Sequence, residues 1–232
     1  HWMKVFSSDE LTRSFYTELQ NWYFWAVLNV VFPNDTQDPS HDEEDNNKNV
    51  IRLITRLIFV WFLMHKGLVN QQLFDVKALK NILKDFDPEG DEGNYYIAIL
   101  QNLFFATLNQ EIPNRKFVPA DYLAKDVHDI KTYYRNPQLF KNSSTDQIME
   151  LFNQTPFVNG GLFECLDYTD ESGHRYCYDG FSNNKTLHGH SNQALVPNFL
   201  FFGKDREADL RQAYGQNKYS KVRVNGIIRI LD

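Results

Sequence analysis

Asn49 to Leu68, NVIRLITRLIFVWFLMHKGL, decides the fold class. Val50, Ile51, Leu53, Ile54, Leu57, Ile58, Phe59, Val60, Trp61, Phe62, Leu63, Met64 and Leu68 are large and apolar, so the stretch reads as a helix that must be covered on most sides. It is the expected core element, with Trp61 as a core side chain. A membrane span is the competing reading. It fails on length, because the charge-free apolar run extends only from Leu57 to Met64, whereas a bilayer needs about 20 residues. Arg52 and Arg56 interrupt the remainder, and each would cost roughly 2.5 kcal/mol or more in a bilayer. Four apart, the two arginines share one edge of the helix. Pairing with acids of a neighbouring segment is expected, since buried charges are usually paired; contact with a phosphate is the alternative.

On the N-terminal side, Leu11, Phe15, Leu19, Trp22, Ala26 and Val30 recur at helical spacing. Ser7 or Ser8 serves as N-cap, Asp9 and Glu10 sit in the first turn, and Pro33 is the stop. Between the two helices lies an acidic stretch, Asn34 to Asn47, with almost nothing apolar to dock. It reads as a solvated loop, since it lacks the glycine and ligand pattern of a calcium loop.

On the C-terminal side, Gly67 is placed to cap the central stretch. Leu73 to Phe86 reads as a short helix, Asp87 to Gly93 as a turn-rich connector, and Asn94 to about Asn109 as a further core helix. Residues 1–110 are therefore expected to form an aromatic-rich helical bundle. Residues 111–232 are punctuated by Pro113, Pro119, Pro137 and Pro156. Helical patterns at Ala120 to Ile130 and Ser144 to Gln154 give way to an Asn159-Gly160-Gly161 turn at positive φ and to short strands at Arg175 to Phe181 and Leu195 to Phe202. The expected fold class is mainly α, with a smaller irregular part of short β strands or hairpins in the second half.

Composition fits a globular chain: 232 residues, 42% apolar and 15% aromatic, with a net charge of −6. Two cysteines make no disulfide framework and no secretory leader is visible, so the cytoplasm is the expected compartment. His1-Trp2 before the first Met, and a fresh apolar pattern at Ile227 to Leu231, read as the cut ends of a piece of a longer protein. Charge is segregated. Asp35, Asp38, Asp42, Glu43, Glu44 and Asp45 account for all the excess negative charge, while Arg211 to Arg229 holds Arg211, Lys218, Lys221, Arg223 and Arg229 with no acid. Tyr214 and Tyr219 lie among these bases, a mixture able to contact phosphates and stack on bases, though an ordinary solvated surface has the same composition.

Catalytic patterns are missing. Gly160-Gly161 lacks the strand and further glycines of a nucleotide loop. Cys165, His174, Cys177, His188 and His190 are numerous enough for zinc but lack paired close spacing, so both cysteines read as packing residues. Asp121 with Asp129-Ile130-Lys131 resembles a nuclease set only loosely and fits a solvated helix face better. His65 and His128 have no Ser or Cys partner.

Five strings nevertheless occur together: Asn21-Trp22-Tyr23-Phe24-Trp25-Ala26, Asn49 to Leu63, Ala98 to Asn109, Asn159-Gly160-Gly161-Leu162-Phe163-Glu164 and Val196 to Gly203. In that order they resemble large bacterial type IIG restriction-modification enzymes, single chains with a nuclease, a helical connector, an adenine-specific DNA methylase and a target-recognition region. The resemblance implies that this chain is the helical connector preceding the methylase, with the missing methylase and nuclease domains and, through the parent enzyme, DNA as its partners. It implies S-adenosylmethionine, and possibly Mg, for the parent and no cofactor here. The family's Asn-Pro-Pro-Tyr motif has no counterpart, because Asn136-Pro137 is followed by Gln138. No catalytic or cofactor residue carries over. Lys218, Lys221 and Arg223, beside Tyr214 and Tyr219, are the expected DNA-backbone contacts, at the end that by resemblance runs into the methylase. The alternative is a stand-alone helical protein-interaction module without catalytic activity.

Overall fold

The computed structural model describes residues 2–122, 130–158, 160–183, 186–187, 190–214 and 221–232. Its first half is helical. Helix α1 spans Trp2–Val27, α2 Asp42–His65 and α3 Val76–Ile82. A fourth helix is made of two π-helical runs, Tyr96–Leu100 and Asn102–Leu108, joined through Gln101. Every residue from 93 to 108 is buried, so this fourth helix, and not α2, is the element the chain is built around. Three of its polar side chains find partners inside the core. Gln101 Nε2 donates to Asp179 O at 2.9 Å, Asn102 Nδ2 to Ala98 O at 2.8 Å, and Thr107 Oγ1 lies 2.8 Å from Tyr134 Oη.

Helix α2 is covered on one side only. Val50, Leu53, Leu57, Val60, Leu63 and Met64 face the core, whereas Ile51, Ile58 and Phe62 are 54%, 40% and 57% exposed along the opposite face. Trp61 is half-buried at the edge, its ring 5.8 Å from that of Phe74, while Trp22 on α1 is the fully buried tryptophan. The acidic stretch is not a loop throughout. Asp42, Glu43, Glu44 and Asp45 form the first turn of α2, where carboxylates offset the positive end of the helix dipole, and Lys48 pairs with Glu44 at 2.8 Å. Asn34, buried ahead of that turn, accepts at Oδ1 a 2.8 Å bond from Asn49 Nδ2.

The ends of the helices follow local chemistry. Helix α1 already runs through Ser7 and Ser8. It closes at Val27, six residues before Pro33, because Asn29 Nδ2 donates to Trp25 O at 2.7 Å. Gly67, at φ 72°, terminates α2 as expected, with Leu68 N–H donating to Leu63 O at 3.0 Å. Asp75 caps α3 by accepting from Ala78 N–H at 2.7 Å.

The second half is irregular. Helix α4 is only Thr145–Glu150, and of the helical pattern at 120–130 the described part is a single 3-10 turn, Ala120–Tyr122. β1 (Asn34–Asp35) and β2 (Tyr168–Thr169) flank β3 (Arg175–Cys177) in an antiparallel sheet. β4 (Thr186–Leu187) pairs with β5 (His190–Ser191), and β6 (Arg206–Ala208) with β7 (Val222–Val224). Gly160, at φ 166°, is extended, neither it nor Gly161 takes the left-handed conformation expected of that turn, and Asn159 lies outside the described residues. Leu195 to Phe202 is not a strand. Leu195 makes one bridge to Val31, and Phe199–Phe202 is the short helix α5, with Leu200 and Phe201 N–H donating to Pro197 O and Asn198 O. A buried aromatic run has no period to tell strand from helix, and the pairing of Asn198 settles it: its Oδ1 accepts from Tyr95 N–H and its Nδ2 donates to Asn94 Oδ1. Helices α6 (Arg211–Tyr214) and α7 (Ile227–Leu231) complete the chain.

Candidate functional site

The strongest polar constellation is buried. Arg56, on the core face of α2, sends Nη1 to Asp179 Oδ1 at 2.6 Å, Nε to Leu162 O at 2.8 Å and Nη2 to Glu164 O at 3.0 Å; its guanidinium also lies 4.9 Å from the Phe105 ring centroid. The second carboxylate oxygen of Asp179 accepts from Leu166 N–H at 2.8 Å. Burial pulls the Arg56 guanidinium toward lower pKa, but the charge and hydrogen bond of Asp179 outweigh it and hold the group above its ordinary value. The expected acid partner for Arg56 is therefore present, 123 positions away. Arg52 instead donates to Asn49 Oδ1 at 2.5 Å.

Asp167 extends the node: Oδ1 accepts from Asp179 and Gly180 N–H, and Oδ2 from Phe181 N–H at 2.7 Å. Gly180 sits at φ 57°, where a Cβ would come within 2.4 Å of Ala194 N, so only glycine suits this turn. Cys165, Asp167 and Asp179 bring potential metal-ligand atoms within 4.8 Å of one another. Their chemistry does not suit a cation. The carboxylate oxygens already accept N–H donors, Arg56 supplies the positive charge, and burial, followed by the two nearby carboxylates, pushes the Cys165 thiol well up, which keeps it protonated.

Of the residues singled out in the sequence, Arg56 and Cys165 belong to this node. Cys165 and Cys177 are both buried free thiols, and His174 Nε2 lies 2.5 Å from Asp35 Oδ1. His188 and the side chain of His190 lie outside the described residues, as do His128 and Asp129. In the basic stretch, Lys221 Nζ is 3.0 Å from Glu207 Oε1, and Arg223 Nε donates to Asp205 Oδ1 at 3.0 Å. The antiparallel register of β6 and β7 sets Glu207 opposite Arg223 and brings these acids alongside. Lys218, Tyr219 and the side chain of Tyr214 lie outside the described residues.

The five strings that carry the resemblance all meet in the core. Trp22 Nε1 donates to Leu200 O at 2.7 Å, and Trp25 stacks 5.1 Å from Phe199. The Phe163 ring lies 5.6 Å from that of Phe59 and 5.8 Å from that of Phe104, and Arg56 bonds the carbonyls of Leu162 and Glu164. These residues are the interior of the fold, and among the described residues no catalytic group is built on them.

Compared with known proteins, the chain is 29% identical over 133 residues to a protein of Methanocaldococcus jannaschii provisionally named a type II restriction enzyme and methyltransferase. The match spans 57% of this chain and 9% of that protein's length. No family profile matches the chain, and no solved structure matches it. The comparison supports a relationship to restriction-modification enzymes. Among the described residues, no helix is long and apolar enough to cross a membrane.

Proposed function

We propose that this chain is the helical connector preceding the adenine methylase of a bacterial, cytoplasmic type IIG restriction-modification enzyme, a phage-defence protein, and that it holds neighbouring domains beside DNA. The observation that carries the reading is the convergence of all five resembling strings on one core. In this reading they are a scaffold, and the similarity to a restriction enzyme and methyltransferase supports a relationship to restriction-modification enzymes. S-adenosylmethionine, and Mg for any cleavage, belong to the rest of the parent. Among the described residues, the buried carboxylates of Asp167 and Asp179 are committed to N–H donors.

Within this reading Lys218, Lys221 and Arg223 hold DNA backbone, with Tyr214 and Tyr219 beside them. The partners Glu207 and Asp205 are themselves exposed, and surface ion pairs contribute only about 0 to 1 kcal/mol, so a phosphate can take their place. Alanine at Lys218, Lys221 and Arg223 together should reduce the salt slope of DNA binding by up to about 3. An unchanged slope and affinity would leave the stretch as solvated surface. The second reading, a stand-alone interaction module, is favoured by the exposed face of Ile51, Ile58 and Phe62 on α2, a surface suited to another protein.

A further inference from the structure

Arg115 is a charged group only 9% exposed that has no counter-ion among the described residues. Its Nε donates to Gln110 O at 3.1 Å, and its Nη2 to Thr107 O at 2.8 Å and Thr155 O at 2.9 Å, while Nη1 finds no acceptor. Three neutral carbonyls thus fix the guanidinium plane, leaving Nη1 closed off from the surface without an acceptor and the charge without a carboxylate partner among the described residues, an expensive arrangement for a buried cation. Burial lowers its pKa from the ordinary value, and no carboxylate acts on it; a guanidinium nevertheless stays protonated at neutral pH. Thr155 Oγ1, on a residue that accepts from this same side chain, is also buried without a partner.

Arg115 forms part of the wall of a pocket of about 460 Å³, together with Gln110, Pro113, Asn114, Lys116 and Tyr133. The lining contains two cations, two amides and a phenol, and no acid. Glu111, beside it in the chain, accepts from Asn114 Nδ2 at 3.5 Å. Lys116 is exposed, with Nζ 4.6 Å from the Tyr133 ring centroid, and has no acid partner among the described residues. The backbone holding it is fixed: Tyr134 N–H donates to Lys116 O, and Val118 N–H to Tyr134 O, both at 3.0 Å. The contrast with β6 and β7 is direct, since there each base has an acid and here neither does. Arginine, lysine, amide and tyrosine side chains are those that contact nucleic-acid phosphates, and this lining offers all four.

We propose that Arg115 and Lys116, with Gln110, Asn114 and Tyr133, form a pocket that holds one backbone phosphate of duplex DNA. The proposal rests on the restriction-modification reading, which supplies the DNA. The test uses the whole chain, with inorganic phosphate and a short duplex of arbitrary sequence as probes. The proteins compared are the wild type, Lys116→Gln, Arg115→Lys and, as a control on an exposed face of α3, Lys77→Gln. Phosphate should shift the Arg115 side-chain NMR resonances saturably, and duplex should compete for them. Lys116→Gln should lower the salt slope of duplex binding by about 1 relative to Lys77→Gln. Arg115→Lys keeps the charge but loses the fork, so affinity should fall several-fold with the slope retained; a thermal melt shows that this variant is folded. Duplex binding that Lys116→Gln leaves at the control level overturns the site alone. Phosphate binding with which duplex does not compete also overturns it, assigning the pocket to free phosphate. Failure of the wild type to bind duplex at low salt refutes the DNA reading of the chain, and this site with it.

Discussion

Asp179→Ala lowers the stability of the chain by about 3 to 5 kcal/mol in urea titration, because it leaves the Arg56 guanidinium buried beneath Phe105 without its counter-charge. Both partners are only 4% exposed at the side chain, so solvent cannot take over the lost interaction. The pair need not add net stability over an apolar pair, since desolvating two ions costs several kcal/mol each. Joint replacement, Arg56→Met with Asp179→Leu, should therefore recover part of the loss, the remainder reflecting Leu166 N–H and the carbonyls of Leu162 and Glu164 left without these partners. A single-variant loss below about 1 kcal/mol would show the pair to be solvated and the node not to be the clasp between α2, residues 162–166 and residues 177–180.

Trp22→Ala should cost about 3 to 5 kcal/mol, as a large-to-small change at a site with no exposure and with an indole N–H bonded to Leu200 O. Trp61→Ala should cost less, because that side chain lies partly exposed at the edge of the core and the site can relax outward. Measured side by side by denaturant melts, the order of the two is the informative quantity. A larger loss at Trp61 would mean that α2, and not the helix through Gln101, lies at the centre.

That pair of residues shows what was legible. The apolar period of Asn49 to Leu68 gave a helix, and its cap at Gly67 was correctly placed, but apolar content does not say which element is surrounded on all sides. Residues 94–108 read as a core helix, but nothing in their sequence names the distant partners of Gln101 and Thr107, such as Asp179 O and Tyr134 Oη, that let those polar groups lie inside. The Phe199–Phe202 run read as strand because four consecutive large apolar residues carry no period, and its turn is set by Asn198 reaching back to Tyr95 and Asn94. The acidic stretch did contain a helix start, since carboxylates in a first turn are a dipole signal, and the Asn-rich context concealed it. For the candidate sites the limit is pairing. An acid partner for Arg56 was foreseeable but not its identity, and the acid-free stretch from Arg211 to Arg229 acquires its acids from Glu207 on β6 and from Asp205 and Asp209 on either side of that strand. Arg115, one base in a proline-rich segment, gives no sequence signal that it would be buried unpaired.

The connector reading is tested most directly by determining the coding sequence on either side of these residues. It predicts an Asn-Pro-Pro-Tyr motif, in frame, within the next few hundred residues after Asp232. An open reading frame that closes without that motif would contradict the connector reading and leave a helical interaction module in its place.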